Sequence, residues 1–74
     1  MWIETPDRQL INLTTAEAVR VADNFEILTA HEGGRIRSVG SFLNREDANR
    51  WFDAIASGII HGRPLLKIEP GKEP

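Results

Sequence analysis

The residues able to do chemistry in this 74-residue chain are few and scattered. Its two histidines, His31 and His61, lie far apart, and neither has a second histidine or a carboxylate at metal-ligand spacing. A strand-like setting puts His31 and Glu32 on opposite faces, so the two cannot chelate one ion. Glu46 and Asp47 are adjacent carboxylates, but they open an apolar helical repeat, where acids serve the positive end of the helix dipole. Ser38 and Ser41 lack the signature of an activated nucleophile. Gly33-Gly34 lacks the glycine spacing and following helix of a phosphate loop. There is no cysteine, so disulfides, thiolate metal sites and a cysteine nucleophile are excluded. These residue types point away from an enzyme, and they predict no metal and no cofactor.

The basic residues are the next candidates. Arg35, Arg37, Arg45 and Arg50 concentrate in one region with Phe42 between them. Clustered phosphate contacts are what bind a polyanion. Here Glu32, Glu46 and Asp47 interleave with the bases and the formal net charge is -2. A solvated, salt-bridged surface is the simpler reading. A nucleic-acid-associated accessory or regulatory factor using these four arginines is the alternative. Acids dominate residues 1–34 and bases residues 35–74, a contrast that predicts attraction between the halves within one fold. No run approaches the ~20 apolar residues of a membrane span. Met1-Trp2-Ile3-Glu4 lacks the basic start and apolar core of a secretory signal, so a cytoplasmic location is expected. The Asn12-Leu13-Thr14 sequon carries no weight without such a signal.

The elements that must position these residues are a helix and several short strands. Ala48, Trp51, Phe52, Ile55, Ala56 and Ile59 repeat as one face of an α-helix. Asn44 is a good N-cap with Asp47 three residues on. Leu43 and Ala48 occupy the positions of a hydrophobic staple. Gly58, Gly62 and Pro64 bound the other end, and the stripe favours a stop near Ile60.

Before Leu43 the chain reads as strands and tight turns. Pro6-Asp7-Arg8 predicts a hairpin pairing Thr5 with Gln9, Ile3 with Ile11 and Met1 with Leu13. Thr14-Thr15-Ala16-Glu17 fits a capping box, so a helical turn leads into the next strand. Ala22-Asp23-Asn24, with Asn24 left-handed, pairs Val21 with Phe25 and Val19 with Ile27. Gly33-Gly34 as a two-residue turn sets His31 opposite Ile36 and Leu28 opposite Val39. Gly40 marks a bulge or a close approach.

The sum is an α+β fold: an antiparallel meander of about five strands packed by one C-terminal helix, either open or curled into a pleckstrin-homology-like half barrel. Residues 1–62 form one domain, and residues 63–74 a tail whose Leu65, Leu66 and Ile68 suit an extra strand or an arm. If the helix covers one sheet face, the other exposes Trp2, Leu10, Leu28 and Val39, with Ala30 nearby. Several large apolar groups on one face suggest a contact surface. Closure into a barrel, a homodimer and a different protein partner are the three accounts of what covers it. The leading expectation is a small non-enzymatic protein-interaction module, self-associating through that face.

Trp2-Ile3-Glu4-Thr5, Leu10-Ile11-Asn12-Leu13, Val19 and Val21 form a recurring opening. Ser41-Phe42, Glu46-Asp47-Ala48, Trp51-Phe52 and Ile55 form a recurring close. Together they resemble small bacterial proteins that begin with a W-I-x-T…L-I-N-L hairpin and end with an F-x-x-x-E-x-A helix. The resemblance covers about residues 1–60. It implies a bacterial meander-plus-helix protein of unassigned role and brings no catalytic motif; residues 63–74 depart from it.

Overall fold

Three hairpins and one long helix organise the chain, and the computed structural model describes all of residues 1–74. In the first hairpin β1 (Trp2–Glu4) runs antiparallel to β2 (Leu10–Asn12), with Ile3 opposite Ile11. The expected register is present. Thr5 N–H donates to the Gln9 carbonyl at 2.8 Å, and Leu13 N–H to the Met1 carbonyl at 2.9 Å. The Pro6-Asp7-Arg8 loop ends on Arg8 with φ 68°. The buried Thr5 hydroxyl braces it, bonding the Asp7 carboxylate and accepting from Gln9 N–H at 2.9 Å.

A 3-10 turn (Leu13–Thr15) follows, capped by Asn12 rather than Thr14. The Asn12 side chain accepts from Thr14 N–H at 3.0 Å. Three antiparallel strands come next: β3 (Ala16–Val21), β4 (Glu26–His31) and β5 (Arg35–Ser41), in the order β3-β4-β5. The loop between β3 and β4 is Asp23-Asn24-Phe25, one residue later than expected. Val21 therefore pairs with Ile27 and Val19 with Thr29. Phe25, not Asn24, takes the left-handed conformation, with φ 63°. An L-residue there costs about 1–2 kcal/mol. In return the Phe25 ring packs against the core and lies under the Arg45 guanidinium, 5.6 Å from its centroid.

The third loop also has three residues, Glu32-Gly33-Gly34, with φ 81° and 76° at the glycines. His31 stands opposite Arg35 and Ala30 opposite Ile36. A one-residue shift exchanges the two faces of a strand. Ile36 and Ser38 consequently turn outward, while Arg35 and Arg37 share the inner face with Ile27 and Thr29. The register then corrects itself, because Leu28 opposes Ser38 but Ile27 opposes Gly40. Val39 is the extra residue of this bulge and turns inward, 0% exposed. Its expected place on the outer face is thus overturned. Gly40 beside it is a close approach as well: a Cβ would stand 3.1 Å from Ile68 Cγ2 and 3.3 Å from Phe42 Cζ.

The helix α1 (Arg45–Ile60) has the expected bounds, and the Asn44 side chain accepts from Asp47 N–H at 2.8 Å. Gly62 ends it with φ 69°. Arg63 N–H reaches back to the Gly58 carbonyl at 2.8 Å and Gly62 N–H to Ile59 at 3.3 Å, a Schellman closure. Ala48, Trp51, Ile55 and Gly58 are buried, but Ile59 is exposed. Leu43 is 86% exposed, so no staple forms; Phe42 points inward and leaves its neighbour to solvent.

Past the helix, β6 (Leu65–Lys67) pairs in parallel with β1, setting Leu66 beside Ile3. This makes a second sheet in the order β2-β1-β6. The last residues lie on α1 instead of fraying: Trp51 Nε1–H donates to the Lys72 carbonyl at 3.2 Å, and Arg50 meets Glu73 at 3.3 Å. The fold is α+β, with six strands in two sheets plus one helix and no closed barrel. The expected five-stranded meander is divided because β2 does not pair with β3 and stays a free edge, while β1 takes β6 as its second neighbour. One hydrophobic cluster of 11 buried residues joins both sheets to α1. It includes Leu66 and Ile68, so residues beyond 62 belong to the core.

Candidate recognition groove

Near the turn of the β4–β5 hairpin the two sheets part and leave a groove of about 710 Å³, open to solvent. One wall is β2, an edge strand, contributed along its whole length with Gln9 before it and Trp2 of β1 beside it. The other wall is the inner face of the hairpin, which carries His31, Arg35 and Arg37. Nearer the core the same face carries Ile27, Thr29 and Val39, all fully buried. The sheet thus changes from apolar to cationic along one face, at the point where the opposing sheet ends.

His31 is fixed between two hydroxyls. Thr29 Oγ1 lies 2.8 Å from His31 Nε2 and 3.4 Å from the Arg37 carbonyl. When the Thr29 hydroxyl donates to that carbonyl, Nε2 carries the proton and donates to Oγ1. Nδ1 lies 3.4 Å from Thr15 Oγ1, whose own proton goes to the Asn12 carbonyl at 3.1 Å. Every buried side-chain polar atom in the chain has a hydrogen-bond partner.

The arginines divide into two sets. Arg45 lies 3.9 Å from Asp23 at the β3–β4 turn. Arg50 meets Asp47 at 2.8 Å, Glu73 at 3.3 Å and Glu46 at 3.9 Å. Arg35 and Arg37 make no ion pair, and they sit at the opposite end of β5 from the turn that Arg45 contacts. At ~3.3 Å per residue the two ends are about 20 Å apart. The four arginines therefore form no single patch. The Arg45–Asp23 contact is also the one ion pair that joins the acidic first half to the basic second half.

The expected apolar contact surface is likewise divided. Trp2, 46% exposed, and Leu10, 61% exposed, line the groove. Leu28 is half-buried on the outer face of β3-β4-β5, between Arg20 and Ser38 and beside the row of Ala18, Ala30 and Ile36. Val39 is in the core. Sequence reasoning missed Asn12 and His31 as groove residues and Ile36 as an outer-face residue. A three-residue reading of the Glu32–Gly34 turn places Ile36 and both arginines correctly.

No group of three or more His, Asp or Glu side chains is placed to hold a metal ion, and no helix is long and apolar enough to cross a membrane. Comparisons with family models, curated proteins and solved structures find no match.

Proposed function

We propose that the chain is a small non-enzymatic protein-interaction module that pairs with a second copy of itself through the outer face of β3-β4-β5. The observation that carries this reading is Ile36, a β-branched residue 61% exposed beside Leu28, Ala18 and Ala30 on one antiparallel sheet face. Each Å² of such apolar surface covered is worth about 25 cal/mol. A chain this small gains proportionally more from that burial than a large one. Ala18, Ala30 and Ile36 form one apolar row across this face, and Leu28 stands in the next row between Arg20 and Ser38. Such a face suits a two-fold pair, in which each copy offers the same residues to the other.

Sedimentation equilibrium tests the proposal. The 8.3 kDa chain is expected to approach twice its mass at micromolar concentration. The double variant Leu28→Lys/Ile36→Lys is expected to stay monomeric with an unchanged circular dichroism spectrum. A wild-type chain that remains monomeric up to millimolar concentration defeats the proposal.

A further inference from the structure

The groove supports a second interaction, on the opposite side of β5 from Ile36. We infer that it takes an extended acidic peptide, which adds as a strand to the free edge of β2 and sets carboxylates against Arg35 and Arg37.

Three observations converge on this occupant. The first is the edge. In an antiparallel pair alternate residues bond to the partner strand. Thr5 bonds Gln9 and Met1 bonds Leu13, so the Ile3–Ile11 pair between them bonds too. Leu10 and Asn12 therefore point their backbone groups away from β1, into the groove. Asn12 gives its carbonyl to the Thr15 hydroxyl at 3.1 Å. The Leu10 N–H, Leu10 carbonyl and Asn12 N–H have no strand partner, which is the arrangement that β-strand addition uses.

The second observation is charge. Arg35 and Arg37 project from one face of β5 at strand spacing and are free of ion pairs. Successive residues on one face of an added strand are also two apart. Carboxylates at alternate positions of the peptide would match the two guanidinium groups, which bind carboxylates in a bidentate fork. The only carboxylate along the groove is Glu32, at the hairpin turn.

The third is shape. A volume of about 710 Å³ lies within the range of ligand sites. Trp2 and Leu10 give the groove an apolar side for the peptide's intervening residues. An acidic peptide is preferred to a nucleic acid because the chain has a net charge of -2, and Arg45 and Arg50 lie away from this groove beside carboxylates of their own.

Fluorescence polarisation with the full chain tests the inference. The probe is a capped, fluorescein-labelled peptide of alternating Glu and Val, compared with a Lys/Val peptide and a short oligothymidylate. The Glu/Val peptide is expected to bind, to weaken as salt rises, and to bind about tenfold more weakly to Arg35→Glu/Arg37→Glu. Leu28→Lys/Ile36→Lys is expected to bind it like wild type, which separates failure here from failure of the self-association reading. N-methylation of the backbone at one set of alternate residues is expected to abolish binding, and at the other set to leave it intact. Equal binding of the Lys/Val peptide, preference for the oligothymidylate, or no binding of the Glu/Val peptide at low salt overturns the inference. Equal tolerance of both N-methylated sets overturns the strand addition.

Discussion

Arg8 and Phe25 occupy equivalent positions in two hairpins, as the left-handed last residue of a three-residue loop, yet replacing them should have opposite effects. The Arg8 side chain is largely exposed, and its pair with Glu4 at 3.4 Å is worth little in solvent. Arg8→Gly is expected to raise the unfolding free energy by up to about 1 kcal/mol, because glycine adopts this φ without strain. Phe25→Gly relieves the same strain but removes a ring that packs on the core and under Arg45. It is expected to lower stability by about 1–3 kcal/mol. Urea denaturation of both variants checks the signs; a stabilised Phe25→Gly refutes the packing account. Gly40→Ala is expected to cost about 1–3 kcal/mol as well, since fully buried Ile68 cannot retreat from the added methyl group.

At the scale of elements, α1 was readable from its sequence and β5 was not. The helix has a strong 3.6-residue repeat with Asn44 at one end and Gly62 at the other, all local signals. Asn44→Ala is accordingly expected to cost about 1 kcal/mol, measured by thermal or urea denaturation. The register of β5 depends on whether Glu32 belongs to the turn, and on a compensating bulge at Val39, five residues after the turn ends at Gly34. Neither has a distinctive residue type, beyond Gly40, and both are decided by what fits between the sheets. The same holds for the groove. Trp2 and Leu10 were identifiable as exposed, but their proximity to His31, Arg35 and Arg37 is made by sheet packing alone. The strand β6 lies between these cases: its apolar residues were visible, its parallel partner was not. Leu66→Ala and Ile68→Ala are each expected to cost about 2–5 kcal/mol. The whole domain has roughly 4–11 kcal/mol to lose, so the double variant is expected to be unfolded at room temperature. A cooperative transition in that variant would show that β6 is dispensable.

The whole molecule has two sheets but one hydrophobic cluster, to which β1, β2, β4, β5, β6 and α1 all contribute. The two sheets are therefore expected to unfold together. Trp51 is buried in that cluster and Trp2 is half-exposed on β1, so in a Trp2→Phe background the Trp51 fluorescence and the far-ultraviolet circular dichroism should give coincident transitions in urea. Separate midpoints would mean that the sheets are independent units. The parallel pairing of β1 with β6 sets Trp2 beside Leu65, almost the full span of the sequence. During synthesis β1 consequently has only one of its two neighbours until a segment about sixty residues later in the chain has been made. Until residues 65–67 are made, the edge of β1 that β6 covers is an unpaired strand edge, the feature that makes incompletely folded chains prone to association.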